Sequence, residues 1–382
     1  MFIRTDLDEL IACDTTPAVS IYLPTHSVGR ETRQDAIRLR NLLSTADKRL
    51  TAERPELDIG ELLEPARNVL DDGELWRSQA QGLALFLAPG FSRIHKLPID
   101  VAEEVAVGNH FCIRQLLPLI ETTGWYWVLT VTSRSTRLYQ GSRWDFAETG
   151  GLDLPQGIAG VRGETEYQDS HYASPTGRRG PSGLAKAQVY GESPDELHKT
   201  QLIELLHRIA TAVEVVIKRQ PGPVILVAQP EVQGNLRDLA HWNDLLPEGI
   251  LENPDAMTED ELHGKAWELF APRADTIRDD VLGRLHSLIG TANGKATTKA
   301  EEIVKAARYG RIDRLFLSGG APLWGQFIEA QDRVVAHGNP VEGDDDLLDY
   351  AALMTLRQGG HVTLVDRAQL PPDGPAAAIL RY

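Results

Sequence analysis

The sequence predicts an α/β protein in three blocks, residues 1–121, 122–250 and 258–382. Short apolar runs alternate with longer stretches in which apolar residues recur at helical spacing. Proline or glycine closes several of those runs. The length, 382 residues, suits two or three domains that each bury a core, at roughly 100–200 residues per domain.

In the first block, Ala18-Val19-Ser20-Ile21-Tyr22-Leu23 reads as a strand stopped by Pro24. Gly29 to Leu50 has helical spacing, with Ile37, Leu39, Leu42, Leu43 and Ala46 as its apolar stripe. Gly82 to Leu87 is a second strand, ended by Pro89-Gly90. The second block opens with the strand Trp125–Thr132 and a hairpin partner, Arg137–Gly141. A glycine-rich stretch, residues 150–193, separates them from a helix at Asp195–Lys218, a buried strand at Val224–Ala228 and a helix from about Val232 to Leu246. The third block follows a linker holding Pro247 and Pro254. Its helices are expected at Thr258–Phe270, Asp275–Gly290, Lys299–Tyr309 and Asp345–Gln358, with strands at Arg314–Leu317 and His361–Val365. Gly310 and Gly359-Gly360 follow two of these helices, where glycine stops a helix.

Composition narrows the function. Hydrophobic residues at 42% and charged residues at 25% exclude global disorder. With 55 acidic against 39 basic residues the net charge is −16. Such a body is repelled by phosphate, so non-specific coating of nucleic acid is excluded. Cys13 and Cys112 stand alone, outside any metal-binding spacing, which fits a reducing cytoplasm. Arg4, Asp6, Asp8 and Glu9 leave no apolar leader core, and no apolar run reaches the roughly 18 residues of a membrane helix. A cytoplasmic protein without a membrane contact is expected.

A loop of about 40 residues without secondary structure is usually functional or disordered. Within it, His171–Tyr190 carries Arg178, Arg179 and Lys186 and no acid, framed by Gly177, Gly180 and Gly183. An acid-free basic stretch on an acidic protein is a phosphate-contact candidate. The helix after Gly29 is a second one, through Arg30, Arg33, Arg38 and Arg40 together with Lys48 and Arg49, although a solvated helix face is the default for such a run. Other motifs have plainer explanations. Asp344-Asp345-Asp346 opens a helix and reads as its cap. The eleven histidines have no metal-ligand spacing, and Gly180-Pro181-Ser182-Gly183 is not a nucleophile elbow. No metal or cofactor is expected, and the residues point away from an enzyme.

The order of blocks, and above all the last third, resembles the archaeo-eukaryotic class 1 release factors and Pelota, in particular their bacterial branch. Glu301–Leu317 resembles the family's helix, glycine and strand segment; Asp346-Leu347-Leu348, Gly359-Gly360-His361-Val362 and Ala378–Tyr382 resemble the family's later segments. Ser20–Thr25 and the helix Gln34–Leu43 resemble the first domain of the bacterial branch. The resemblance implies three α/β domains: an N-terminal module, a ribonuclease-H-like middle domain, and a C-terminal α/β/α domain like the kink-turn-binding ribosomal proteins.

It also implies a ribosomal A site as partner, ribosomal RNA contacts, tRNA mimicry, and a translational GTPase meeting the last domain. In release factors the long loop carries Gly-Gly-Gln and promotes peptidyl-tRNA hydrolysis. Here residues 150–193 contain no Gly-Gly-Gln, and no stop-codon motif of the Asn-Ile-Lys-Ser type occurs. The expectation is therefore a non-catalytic A-site factor for ribosome rescue or hibernation, with Arg178, Arg179, Lys186, Arg30, Arg33, Arg38 and Arg40 on ribosomal RNA. The alternatives are a release factor whose loop hydrolyses peptidyl-tRNA by other chemistry, and a metal-dependent hydrolase or nuclease of the middle domain.

Overall fold

The computed structural model describes residues 4–26, 32–77, 79–120, 124–152, 154–157, 194–291, 294–319, 322–341, 343–372 and 374–382. They form two compact units: Met1–Thr123 with Ala274–Tyr382, and Gly124–Arg273. The fold class is mixed α/β, with four separate sheets among the described residues.

The N-terminal part of the first unit contains α1 (Arg4–Ala12), β1 (Ala18–Pro24), α2 (Thr32–Glu53), α3 (Ile59–Asp71), α4 (Gly73–Arg77), β2 (Gly82–Ala88), β3 (Phe91–Leu97), β4 (Glu104–Gly108) and α5 (Leu117–Ile120). Its strands lie in the order β3-β2-β1-β4, each antiparallel to its neighbours. Because side chains alternate along a strand, Val19, Ile21 and Leu23 share a face with Leu83, Leu85 and Leu87. Leu39, Leu43, Ala46 and Leu50 of α2 and Leu62, Leu63, Ala66 and Val69 of α3 cover that face. On the opposite face Tyr22 donates to the Cys112 carbonyl at 2.6 Å, and Phe86 meets Phe111 edge-on at 5.4 Å.

In the second unit, β5 (Tyr126–Val131), β6 (Thr136–Gly141), β7 (Phe146–Glu148) and β8 (Val224–Val227) make a sheet in the order β7-β6-β5-β8. β5 is antiparallel to β6 and parallel to β8. Trp127, Leu129 and Val131 face α6 (Pro194–Arg219), whose Leu205, Leu206, Ile209 and Val213 are buried with them. α7 (Pro230–Leu239) stops well before Leu246, where the sequence places the helix end. The backbone at Asp244 and Leu246 bonds to Val224 instead, so pairing along β8 replaces the helix. Tyr126, on the other sheet face, packs on Phe270 at 4.7 Å.

Phe270 belongs to α8 (Glu259–Gly290), one continuous helix where the sequence suggests two. Pro272 removes a hydrogen bond, at a cost of about 3 kcal/mol. Phe270 on one side of it and Ala274, Leu282 and Leu285 on the other are all buried, which compensates. The second half of α8 lies in the first unit.

There, β9 (Ala296–Thr297), α9 (Ala300–Arg308), β10 (Ile312–Ser318), β11 (Trp324–Ile328), β12 (Arg333–Ala336), β13 (Asp345–Asp346), α10 (Leu347–Arg357), β14 (His361–Val365) and β15 (Ala376–Leu380) complete the chain. The main sheet runs β14-β10-β15-β9, with β10 parallel to β14 and antiparallel to β15; β12-β11-β13 form a small second sheet. Leu282 and Leu285 pack on Phe316, Val365 and Ile379 from one face. α9 and α10, the latter buried from Leu347 to Leu356, pack against the same strands. Helices on both sides give the expected α/β/α layering.

Two caps fix α10. Asp346 accepts the Leu348 N–H at 3.1 Å, as its sequence position suggests, and Gly359 turns the chain away with φ +69°. The same helix holds the N-terminal module within this unit. Buried Asp349 accepts the Ile113 N–H at 3.0 Å, Arg114 pairs with Asp346, and Arg357 grips Asp14 through two bonds of 2.7 and 2.8 Å.

Candidate functional site

The glycine-rich stretch of residues 150–193 starts from an anchored root. After β7, the Thr149 N–H bonds back to Leu138 O at 2.8 Å, and Leu152 and Leu154 join the core beneath α6. Gln156 then stands in for a strand. Its Oε1 accepts the Thr136 N–H at 3.3 Å, and its Nε2 donates to Thr136 O at 3.1 Å and Leu154 O at 3.2 Å. One side chain thus satisfies both backbone groups of Thr136, a residue only 1% exposed, at the place where β7 has ended.

Gly157 follows with φ +66°; a Cβ there would lie 2.6 Å from Ser133 O and 2.9 Å from the Arg134 backbone. Only glycine lets the chain press on that turn. Gly177, Arg178, Arg179, Gly180, Gly183 and Lys186 lie outside the described residues. The described residues resume at Pro194, the first residue of α6.

On α2 the basic residues divide. Arg30 lies outside the described residues, and Arg33 is described only as a helix position. Arg38 is committed to Asp35 at 3.4 Å and Glu103 at 3.2 Å. Asp35 is itself fully buried and takes the His26 N–H at 2.9 Å and His26 Nδ1 at 3.1 Å. Arg49 donates to Val105 O at 2.7 Å. Arg40 stays exposed, as do Ile37 (55%) and Ser44. Positions 33, 37, 40 and 44 share one helix face by their three- and four-residue spacing. The structure therefore leaves Arg40 available on an outward ridge and ties Arg38 into the fold.

One pair escapes the reading of the sequence. The β6–β7 turn is closed by Ser142, whose Oγ accepts the N–H groups of Trp144 and Asp145 at 3.2 and 3.0 Å. It presents half-buried Trp144 with the Arg143 guanidinium 4.6 Å from its ring centre. An aromatic ring with a stacked guanidinium is a surface on which a nucleobase can stack. The Arg-Trp dipeptide shortly after Gly141 is the signal that the chain offers for it. Among the described residues, no three His, Cys, Asp or Glu side chains come together in a way that could hold a metal ion, and no helix is long and apolar enough to cross a membrane.

Residues 125–311 match the model of a protein family described as bacterial archaeo-eukaryotic release factor family 3, a match just under half the chain long. Similar solved structures include the archaeal translation termination factor aRF1, 13% identical over 98% of this chain and 96% of that one, with a TM-score of 0.24. Archaeal Pelota, from a model of ribosome-bound Pelota and ABCE1, is 12% identical over 76% and 72%, with a TM-score of 0.35. Dom34 of S. cerevisiae, described as a translation termination-like factor, is 10% identical over 79% and 74%, with a TM-score of 0.33. No curated protein matches the chain.

Proposed function

We propose, from the match of residues 125–311 to the bacterial archaeo-eukaryotic release factors, that this protein is a cytoplasmic ribosome-binding translation factor. It occupies the A site in rescue or hibernation and leaves peptidyl-tRNA intact. The observation that carries this reading is the loop of residues 150–193: long, basic in its centre, and without Gly-Gly-Gln. Its described root supports the reading, because a loop that must reach a fixed target gains from a rigid launch point at Gln156 and Gly157.

In this proposal the blocks 1–121, 122–250 and 258–382 divide the work. The α2 ridge, with Arg40 and the position of Arg33, faces ribosomal RNA at the decoding side, and Arg30, which precedes α2 in the sequence, contributes to the same contact. The loop reaches toward the peptidyl-transferase centre with Arg178, Arg179 and Lys186 on phosphates, and Arg38 supports the ridge through its ion pairs. The C-terminal block meets a translational GTPase.

The test is co-sedimentation with ribosomes across a salt series. Neutralising Arg178, Arg179 and Lys186 together should lower the slope of log affinity against log salt by about 2, at roughly 0.7 for each single-strand phosphate left without its cation. A triple variant that sediments like the wild type at every salt concentration removes those three residues from the proposal.

A further inference from the structure

The first unit holds a cleft of about 360 Å³ between the β4 side of the N-terminal sheet and the segment that leads into α10. That volume is at the lower end of small-molecule sites. Its aromatic lining is Trp324, Tyr350 and His110, with the His110 and Tyr350 rings 5.3 Å apart. Its polar lining is dominated by carboxylates, namely Glu53, Glu104, Asp345, Asp346 and Asp349 together with Asp344.

The protein supplies few cations against them. Arg114 pairs with Asp346, Arg49 spends its guanidinium on Val105 O, and Arg54 stands exposed at the margin. Glu104 accepts a neutral amide donor, Gln115 Nε2, at 2.6 Å. Asp344 has a wholly buried side chain; its Oδ2 takes His337 and the Val341 N–H, while its Oδ1 accepts no hydrogen bond from the described residues. Gly108 has no side chain where a Cβ would collide with the Asp345 carboxylate, so that carboxylate reaches the β4 backbone.

We propose that this cleft binds a small organic cation carrying alkylammonium groups, held by its aromatic lining, the His110–Tyr350 pair and Trp324, and by the carboxylates of Asp345 and Glu104. An ammonium group gains from an aromatic face within about 6 Å and from a carboxylate in a desolvated site, and here both stand in one cavity. Burial raises the carboxyl pKa of Asp345 and Asp346 and lowers that of the His110 imidazole, so the site is desolvated enough for a charge brought into it to be felt strongly. An anion would meet the same carboxylates and be repelled.

Equilibrium dialysis of the full chain against labelled spermidine tests this. One saturable site is expected, weakened about tenfold by Asp345→Asn, which keeps the shape of the side chain. Arg54→Glu, an exposed change at the margin, should tighten it and serves if the first variant does not fold. The doubly substituted Asp279→Asn, Asp280→Asn chain removes two exposed acids of α8 away from the cleft, and it should bind as the wild type does. Absence of a saturable site overturns the proposal. So does a loss in the α8 variant equal to that in Asp345→Asn, because spermidine would then be reading total charge alone.

Discussion

Replacing Gln156 with alanine removes three hydrogen bonds at the root of the loop while leaving the backbone free to keep its course. The N–H and C=O of Thr136, a residue 1% exposed, are then without their partners. A protein hydrogen bond contributes about 1 kcal/mol net, and a buried group left unpaired costs about 1–3 kcal/mol. Water that follows the truncated side chain recovers part of this, so the local loss is about 2 kcal/mol. At 1.4 kcal/mol per factor of ten, the Thr136 amide should exchange with solvent about 30-fold faster. Amides of β5 and β8, bonded within the sheet, should change far less. Hydrogen exchange resolved to single residues reads both. Equal protection of Thr136 in the two proteins would refute the role given to Gln156.

Three further outcomes are expected. Gly157→Ala should loosen the same root by about 1–2 kcal/mol, since it places a Cβ at positive φ against the Ser133–Arg134 backbone; unchanged exchange at 133–136 would count against it. Asp349 is buried with its carboxyl pushed well above the usual range, burial being the main cause. The folded state therefore holds that proton more tightly than the unfolded one, and the group's contribution to stability falls as pH rises from the ordinary carboxylate range toward the raised value. Asp349→Asn should flatten that part of the pH profile of the first unit in urea melts, and a parallel profile would contradict the assignment. Arg381 donates to Gly310 O at 3.2 Å and Gln358 O at 3.0 Å, closing the C-terminal ends of α9 and α10. Arg381→Ala should cost the first unit about 1 kcal/mol, seen as a lower urea midpoint.

The elements readable from the sequence are those whose pattern is local. The Trp125–Thr132 run is continuous and aromatic, and β5 occupies its centre. α9 combines Ile303, Val304, Ala306 and Ala307 on one face with Gly310 at φ +66° beyond its end. α3 is harder to see: Pro65 lies inside it and charged residues interrupt its stripe, yet Leu62, Leu63, Ala66 and Val69 are buried. β3, Phe91–Leu97, carries Arg93, His95 and Lys96 and lies at an edge of its sheet, where only one side needs pairing. Pro272 suggests a break in α8 that burial on both sides overrides.

The site divides in the same way. The composition of the loop and the basic residues of α2 are visible in the chain. Which arginines remain available is decided by Asp35, Glu103 and Val105, whose approach depends on folding. Gln156 acts through backbone groups 20 residues away, and Asp349 through an N–H 236 residues away, so neither has a local signature.

The central claim is occupancy of the A site without chemistry on the ester. Programmed ribosomes carrying labelled peptidyl-tRNA in the P site, an empty A site and a limiting amount of differently labelled aminoacyl-tRNA test it in a single titration. The account predicts that added factor displaces the aminoacyl-tRNA in proportion to its binding while the peptidyl ester stays intact. Peptide released at a rate that rises with factor, or factor and aminoacyl-tRNA bound to the same ribosome, would contradict it.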